Sequence, residues 1–275
     1  LAYITWTVSP EIVTLGPITL RWYGLLFATG FAIGYFLTRQ VFRREGESEA
    51  TLDTLLWFLV LSAIIGARLG HVFFYGWDYY SQHLIDIPMV WKGGLASHGG
   101  GIGVFIALWL YSRFVIHRPM LWITDRIAMS VSLTGMFIRL GNLMNHEIVG
   151  APTNVPWAFL FTRFESNPIP RHPAQLYEAL AYLLIFACLF YLFWRTKAPE
   201  YRGLITGLVL VLIFVARFLI EYLKEVQEPW ELGLTLNMGQ QLSIPMILAG
   251  IALIIYAWRW HRTNRQSDQA STELG

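Results

Sequence analysis

Charge is what this sequence has least of. Of its 275 residues 14% are Asp, Glu, Lys or Arg, where a soluble domain carries about 25%. With 55% hydrophobic residues and a mean hydropathy of +0.48, the composition excludes a soluble globular domain and marks an integral membrane protein. A net charge of +2 points to no nucleic-acid partner. Cysteine is nearly absent as well: Cys188 is alone, which excludes an internal disulfide. No metal-type cluster of thiols and imidazoles accompanies it, so neither metal nor cofactor is expected. Within the apolar run 183–193 it reads as a packed small hydrophobe. No Gly-x-Ser-x-Gly elbow occurs, so serine-hydrolase chemistry lacks its nucleophile. No basic region precedes a short apolar core at the beginning of the chain, and no cleavable signal peptide is expected. No internal repeat is evident.

What the chain does have is apolar length. Runs long enough to cross hydrocarbon lie at 19–42, 51–75, 96–116, 121–144, 174–195, 203–224 and 240–260. The fold class expected is an all-α integral membrane protein of about seven transmembrane helices, one domain over 1–262, with a polar, disordered tail at 263–275. Basic residues alternate between the connections. Twelve (Arg39, Arg43, Arg44, Arg113, Arg118, Arg126, Arg195, Lys197, Arg202, Arg259, Arg262, Arg265) fall on one side and five (Arg21, Lys92, Arg163, Arg171, Lys224) on the other. By the positive-inside rule the N-terminus is outside and the C-terminus cytoplasmic. The outer connections are long. Residues 76–95 carry interfacial aromatics, and 145–173, with five prolines, read as an irregular periplasmic head.

Three arginines, Arg68, Arg139 and Arg217, fall inside spans, where a charge costs about 2.5–3.5 kcal/mol on insertion scales and is a functional hypothesis by default. This topology brings Tyr23, Arg68, His98, Arg139, Asn142, Gln175, Glu178, Arg217 and Glu221 to one layer, level with the outer leaflet's headgroups. The bland alternatives are mutual pairing, such as Arg217 with Glu221 four residues on, and packing of Arg68 between Gly66 and Gly70. For Arg68 the packing alternative is favoured. The cluster as a whole has cations to spare, and the guanidinium fork suits a phosphate. His98-Gly-Gly-Gly101 resembles an esterase oxyanion string and would equally serve close helix packing. At headgroup level its histidine suits a general base. Gln175 and Glu178 share a helix face and can bind an arginine or a headgroup hydroxyl. His172, before Pro173, reads as structural, and Asp125 as the cap of its own helix.

Taken in order, Arg21-Trp-Tyr23-Gly24, Gly66-Ala-Arg68, Trp91-Lys-Gly-Gly94 with His98-Gly-Gly, Arg139-Leu-Gly-Asn142 through Asn145-x-Glu147-x-x-Gly150, Arg171-His-Pro-x-Gln175-Leu-Tyr-Glu178, Arg217-x-x-x-Glu221 and Met238-Gly-Gln-x-Leu-Ser243 resemble the bacterial prolipoprotein diacylglyceryl transferases along the whole chain. Two positions depart from that pattern: Ile138 stands where the family string has glycine, and Ile213 where a tyrosine is frequent. The resemblance implies a seven-helix body with an outward head in the bacterial inner membrane. It implies transfer of the diacylglyceryl group of phosphatidylglycerol to the lipobox cysteine of a preprolipoprotein signal peptide, with release of glycerol phosphate, as the first step of lipoprotein maturation. The expected catalytic residues are His98 as thiol base and Arg139 and Arg217 as phosphate clamp. Tyr23, Arg68, Asn142, Asn145, Glu147, Gly150, Gln175, Glu178 and Glu221 are the expected substrate-binding and orienting set. A phospholipid or anion transporter built on the same arginines is the alternative, disfavoured by the missing repeat.

Overall fold

Between Ile4 and Arg21 the apolar residues are interrupted by Ser9, Pro10, Glu11, Gly16 and Pro17, and the β-branched and aromatic side chains form strands. In the computed structural model, which describes residues 3–16, 18–225, 233 and 235–273, β1 (Ile4–Trp6) is followed by a hairpin of β2 (Glu11–Leu15) and β3 (Ile18–Arg21). In that hairpin Glu11 faces Arg21. Helices follow: α1 (Trp22–Arg44), α2 (Glu49–Tyr75), a single turn α3 (Trp77–Tyr80), α4 (Ser97–Phe114), α5 (Met120–Met144), α6 (Ala174–Arg195), α7 (Leu204–Glu221) and α8 (Met238–Glu273). Two more strands, β4 (Phe159–Phe161) and β5 (Pro170–Arg171), lie between α5 and α6.

Each of the seven expected spans is a helix, but six of the described helices are long and apolar enough to cross a membrane. The seventh, α4, is diluted by His98, Arg113 and four glycines in 18 residues. Helix α8 runs on past its apolar stretch to Glu273; a helix already nucleated propagates at little cost. The chain is, as expected, a mostly helical membrane protein, but its head is not wholly irregular. Residues 159–171 join a three-stranded sheet in which β1 runs parallel to β4 and β5 antiparallel to it. Under it Leu143, Val149, Phe159 and Phe161 bury together, with Trp6 and Leu176 against them. Cys188 is exposed on α6 rather than packed.

The chain divides into two compact units, Leu1–Leu37 with Thr124–Gly275, and Thr38–Ile123. In the smaller unit α2 and α4 pack through glycine. A Cβ at Gly70 would lie 2.7 Å from the Gly99 Cα, and one at Gly66 3.0 Å from the Gly103 Cα. The packing role of the His98-Gly-Gly-Gly string is therefore real for Gly99 and Gly103, whereas Gly101 faces open space. At the other end of α2, Glu49 in its first turn holds Arg39 at 2.6 Å and also Arg43. An acidic residue at a helix N-terminus and basic ones at a C-terminus both complement the macrodipole.

In the larger unit small residues again set the approach of helices. The Ser130 and Thr134 hydroxyls donate to the carbonyls of Gly34 and Gly30 at 2.9 and 3.2 Å, joining α5 to α1. Gly207 and Gly250 join α7 to α8. Asp125 does not cap its own helix. It accepts from the backbone N–H groups of Gly203 and Thr206 and from the Thr206 hydroxyl, at 2.6–2.7 Å. It thus caps the N-terminus of α7 from the side of α5, satisfying donors that helix geometry leaves orphaned.

Candidate active site

The end of α5 is where the polar residues gather, and the chain is strained to make it so. His146 and Ile148 both have positive φ, 56° and 57°, a conformation unfavourable for a β-branched side chain. They bracket Glu147. The strain is held from outside: the buried His146 ring lies 2.9 Å from the Val8 carbonyl, and the Gln175 amide donates to the Glu147 carbonyl at 2.6 Å. Held so, the Glu147 carboxylate accepts from Asn142 at 2.7 Å and Asn145 at 3.4 Å, and the Asn142 oxygen accepts from Arg139 at 3.2 Å. Gly141 leaves room for the Tyr23 ring, which an added Cβ would meet at 2.8 Å. Tyr23 lies in the field of both Glu147 and Arg139.

A second set of charges continues from the first. Arg139 Nε sits 3.0 Å from Glu178 Oε2, with side-chain exposures of 14% and 0%. Lys224 bridges Glu178 at 3.1 Å and Glu221 at 2.9 Å, itself 3% exposed. Charges this deep require partners, because stripping water from an unpaired ion costs several kcal/mol. Gly239, in the first turn of α8, lies against the Glu221 carboxylate, where an added Cβ would come within 2.7 Å of both oxygens. Glu221 thus takes Lys224 as its ion pair, and the pairing with Arg217 weighed above is absent. Arg217 makes no salt bridge or hydrogen bond among the described residues. It contributes to the field at Tyr182, whose hydroxyl is hydrogen-bonded to Arg139. Two buried acceptors in this cluster, Glu178 Oε2 and Gln175 Oε1, have no hydrogen-bond partner among the described residues. The Arg139–Glu178 contact is close but not aligned along an N–H.

Gly150 has a backbone task. It pairs in a β-bridge with Lys224, and its N–H donates to His172 at 2.9 Å; a Cβ there would overlap His172 and the Leu223 carbonyl. This bridge delivers Lys224 to Glu178. Arg171 ties the strands together, bonded to Glu165 at 3.0 Å and Glu225 at 2.6 Å. His172 contacts the Tyr177 hydroxyl at 3.1 Å. Burial pushes its imidazole below the ordinary histidine range, so it is neutral at pH 7.

The smaller unit holds the remaining two predicted residues. Arg68 is 3% exposed and donates to four backbone carbonyls: Asp86 at 2.6, Ile87 at 2.7, Gly93 at 2.5 and Gly94 at 3.2 Å. Its guanidinium also stacks 4.9 Å from the Tyr80 ring. His98, exposed in the first turn of α4, packs edge-on against Phe74 at 5.4 Å and against Tyr75 at 5.6 Å.

The larger unit therefore gathers Tyr23, Arg139, Asn142, Asn145, Glu147, Gln175, Glu178, Arg217 and Glu221. Lys224 and Tyr182 went unassigned. Lys224 stands in the sequence reading only as a loop charge, and Tyr182 has no reading there. The signal available was spacing: Lys224 is three residues beyond Glu221, and Tyr182 four beyond Glu178 on one helix face.

The fold and the site define a helical membrane protein in which two arginines, a buried lysine and carboxylates form one polar cluster. The profile described as prolipoprotein diacylglyceryl transferase matches residues 10–256, and the chain belongs to that family of bacterial membrane transferases. Its relatives include the phosphatidylglycerol–prolipoprotein diacylglyceryl transferases of Tolumonas auensis, 48% identical over 91% of this chain and 96% of that one, and Chloroherpeton thalassium, 46% identical over 92% and 94%. The protein of that name from Porphyromonas gingivalis is 48% identical over 93% and 95%. None of these bears a transporter's name.

Proposed function

We propose that this chain transfers the diacylglyceryl group of phosphatidylglycerol to the lipobox cysteine of a preprolipoprotein, at the outer leaflet of a bacterial cytoplasmic membrane. The thiolate sulfur attacks a glycerol carbon, a C–S bond forms, the C–O bond to phosphate breaks, and glycerol phosphate leaves. The nucleophile comes from the substrate, in keeping with a chain whose single cysteine is no part of the cluster. His98 takes the thiol proton. Arg217 and Arg139 hold the phosphate, whose charge grows as the C–O bond breaks; preorganised donors of this kind are worth about 3–4 kcal/mol each. Tyr23, Asn142, Asn145 and Glu147 fix Arg139, and Lys224 holds Glu178 and Glu221. Glu178 Oε2 and Gln175 Oε1 accept from the hydroxyls of the glycerol headgroup, which would satisfy two otherwise costly buried atoms. Arg68 holds the 86–94 loop and meets no substrate in this reading.

The observation that carries the reading is a guanidinium without an ion-pair partner. Among the described residues, Arg139 and Lys224 have carboxylate partners within 3.1 Å, and the half-buried Arg217 beside them has none. The test is to incubate purified protein with phosphatidylglycerol and a lipobox peptide and to weigh the peptide. A gain of one diacylglyceryl mass on cysteine is expected. No adduct, or equal modification of a Cys-to-Ser peptide, refutes it.

A further inference from the structure

Tyr182 has no part in the mechanism above, yet it stands inside the charge cluster. It lies on α6 one turn after Glu178, and Gly135 lies on α5 one turn before Arg139. The two helices meet at both levels. Arg139 Nε is 3.0 Å from Glu178 Oε2, and the Tyr182 ring lies over Gly135, where an added Cβ would come within 3.1 Å of it. Helical side chains lean toward the N-terminus of their own helix. Tyr182 therefore leans toward the Glu178 turn, and Arg139 toward the Gly135 turn. That convergence brings the phenol to the guanidinium. The residue is 5% exposed, deep enough that its polar atoms need partners.

Its hydrogen bonding is half complete. A guanidinium carries donors only, so in the bond to Arg139 the Tyr182 oxygen accepts and its own proton remains to be placed. Glu178, on the same helix face, does not take it: Oε1 accepts from Lys224 at 3.1 Å, and Oε2 has no hydrogen-bond partner among the described residues. The other carboxylates of the cluster are engaged elsewhere, Glu221 with Lys224 and Glu147 with Asn142 and Asn145. Arg217 acts on the same hydroxyl and brings more donors, not an acceptor. A buried O–H beside two guanidiniums is completed by an oxygen that carries negative charge. The described residues supply none, so the acceptor comes from the substrate.

We propose that Tyr182 is a third donor to the substrate phosphate, its hydroxyl bonding a phosphate oxygen held by Arg139 and Arg217. This rests on the transferase reading and adds a residue to that reaction's phosphate site. The phenol gives a hydrogen bond and keeps its proton: the C–O bond breaks toward oxygen, and the phosphate leaves as an anion. A neutral donor fixed by Gly135 and Arg139 is preorganised for that charge.

Tyr182→Phe removes the hydroxyl and keeps the ring on Gly135. In purified full-length protein its affinity for phosphatidylglycerol is expected to fall at least tenfold. The same loss is expected for phosphatidic acid, which has the phosphate without the headgroup glycerol. Affinity for diacylglycerol, which has neither, is expected to stay within about twofold. Undiminished affinity for either phospholipid, or an equal loss on all three lipids, overturns the proposal. A role limited to accepting from Arg139 is separated by 3-fluorotyrosine at position 182, a better donor and poorer acceptor, assayed at about pH 6 so that the phenol keeps its proton. Phosphatidylglycerol binding at least as tight as in wild type is expected, and weaker binding overturns the proposal. None of these readouts needs turnover. If wild-type protein forms no lipobox adduct, the transferase reading fails, while the lipid affinities still decide the role of Tyr182.

Discussion

Two arginines, the buried Arg68 of one unit and the partly buried Arg139 of the other, are treated in opposite ways. Arg68 is surrounded by backbone carbonyls of a single loop, acceptors that carry no net charge and cannot turn away. Arg139 is met by side chains, the Glu178 carboxylate and the Asn142 amide, and its neighbour Arg217 has no anionic partner among the described residues. A guanidinium fixed on carbonyls organises a loop. A guanidinium held by a carboxylate can turn toward a second anion, because Lys224 still holds that carboxylate. On the proposed mechanism the difference separates an arginine that shapes the protein from arginines that hold the phosphate.

The strongest break is Arg139→Gln. It should lower kcat/KM by about a thousandfold through loss of a preorganised donor. It should also destabilise the fold by about 3–5 kcal/mol, because Glu178 loses one of two cations; steady-state kinetics and thermal unfolding in detergent read the two effects. His98→Ala should slow turnover by about 100-fold or more while phosphatidylglycerol binding persists, and wild-type rates in this variant would refute the general-base role. Arg217→Gln sharpens the contrast: a loss of about 100-fold in activity with Tm nearly unchanged, since no ion pair is broken. Arg68→Gln should do the reverse, leaving the 86–94 loop open to limited proteolysis and lowering activity by less than about tenfold, as four carbonyls lose charged hydrogen bonds.

The smallest effect is on pH. His172 has a depressed folded pKa, so the unfolded chain binds its proton first, and stability falls as pH drops below about 6.5. Arg171 holds the Glu165 carboxyl below its ordinary range, and this second contribution is lost as pH drops further, through the carboxylate range. A His172→Gln variant should flatten the upper part of that decline in a Tm series from pH 7 to 5.

Most of the helical scaffold was legible because a membrane span declares itself by length, and, the end of α8 apart, the observed helices begin and end within three residues of the apolar runs. The strands were not legible. Three residues at Ile4–Trp6 pair with Phe159–Phe161, and a pairing across so much chain leaves no local pattern. The candidate site was legible where polar residues interrupt an apolar helix, as Arg139, Asn142 and Glu178 do. It was illegible where a residue looks ordinary for its place: Lys224 past a helix end, Tyr182 on a lipid-type helix. Partners were harder to read than positions. Gly66-Ala-Arg68 and Trp91-Lys-Gly-Gly94 both stood out, but only the fold joins them, through the Arg68 bonds to Gly93 and Gly94.

The central claim is that the substrate phosphate goes to Arg217 and Arg139 and not to Arg68. Equilibrium binding of phosphatidylglycerol to purified wild-type, Arg217→Gln and Arg68→Gln protein tests it without reference to turnover. The account predicts at least a tenfold weaker Kd for Arg217→Gln and a Kd within about threefold of wild type for Arg68→Gln, a difference of more than about 1.4 kcal/mol in the first case and less than about 0.7 in the second. Undiminished binding by Arg217→Gln alongside a large loss in Arg68→Gln would contradict it.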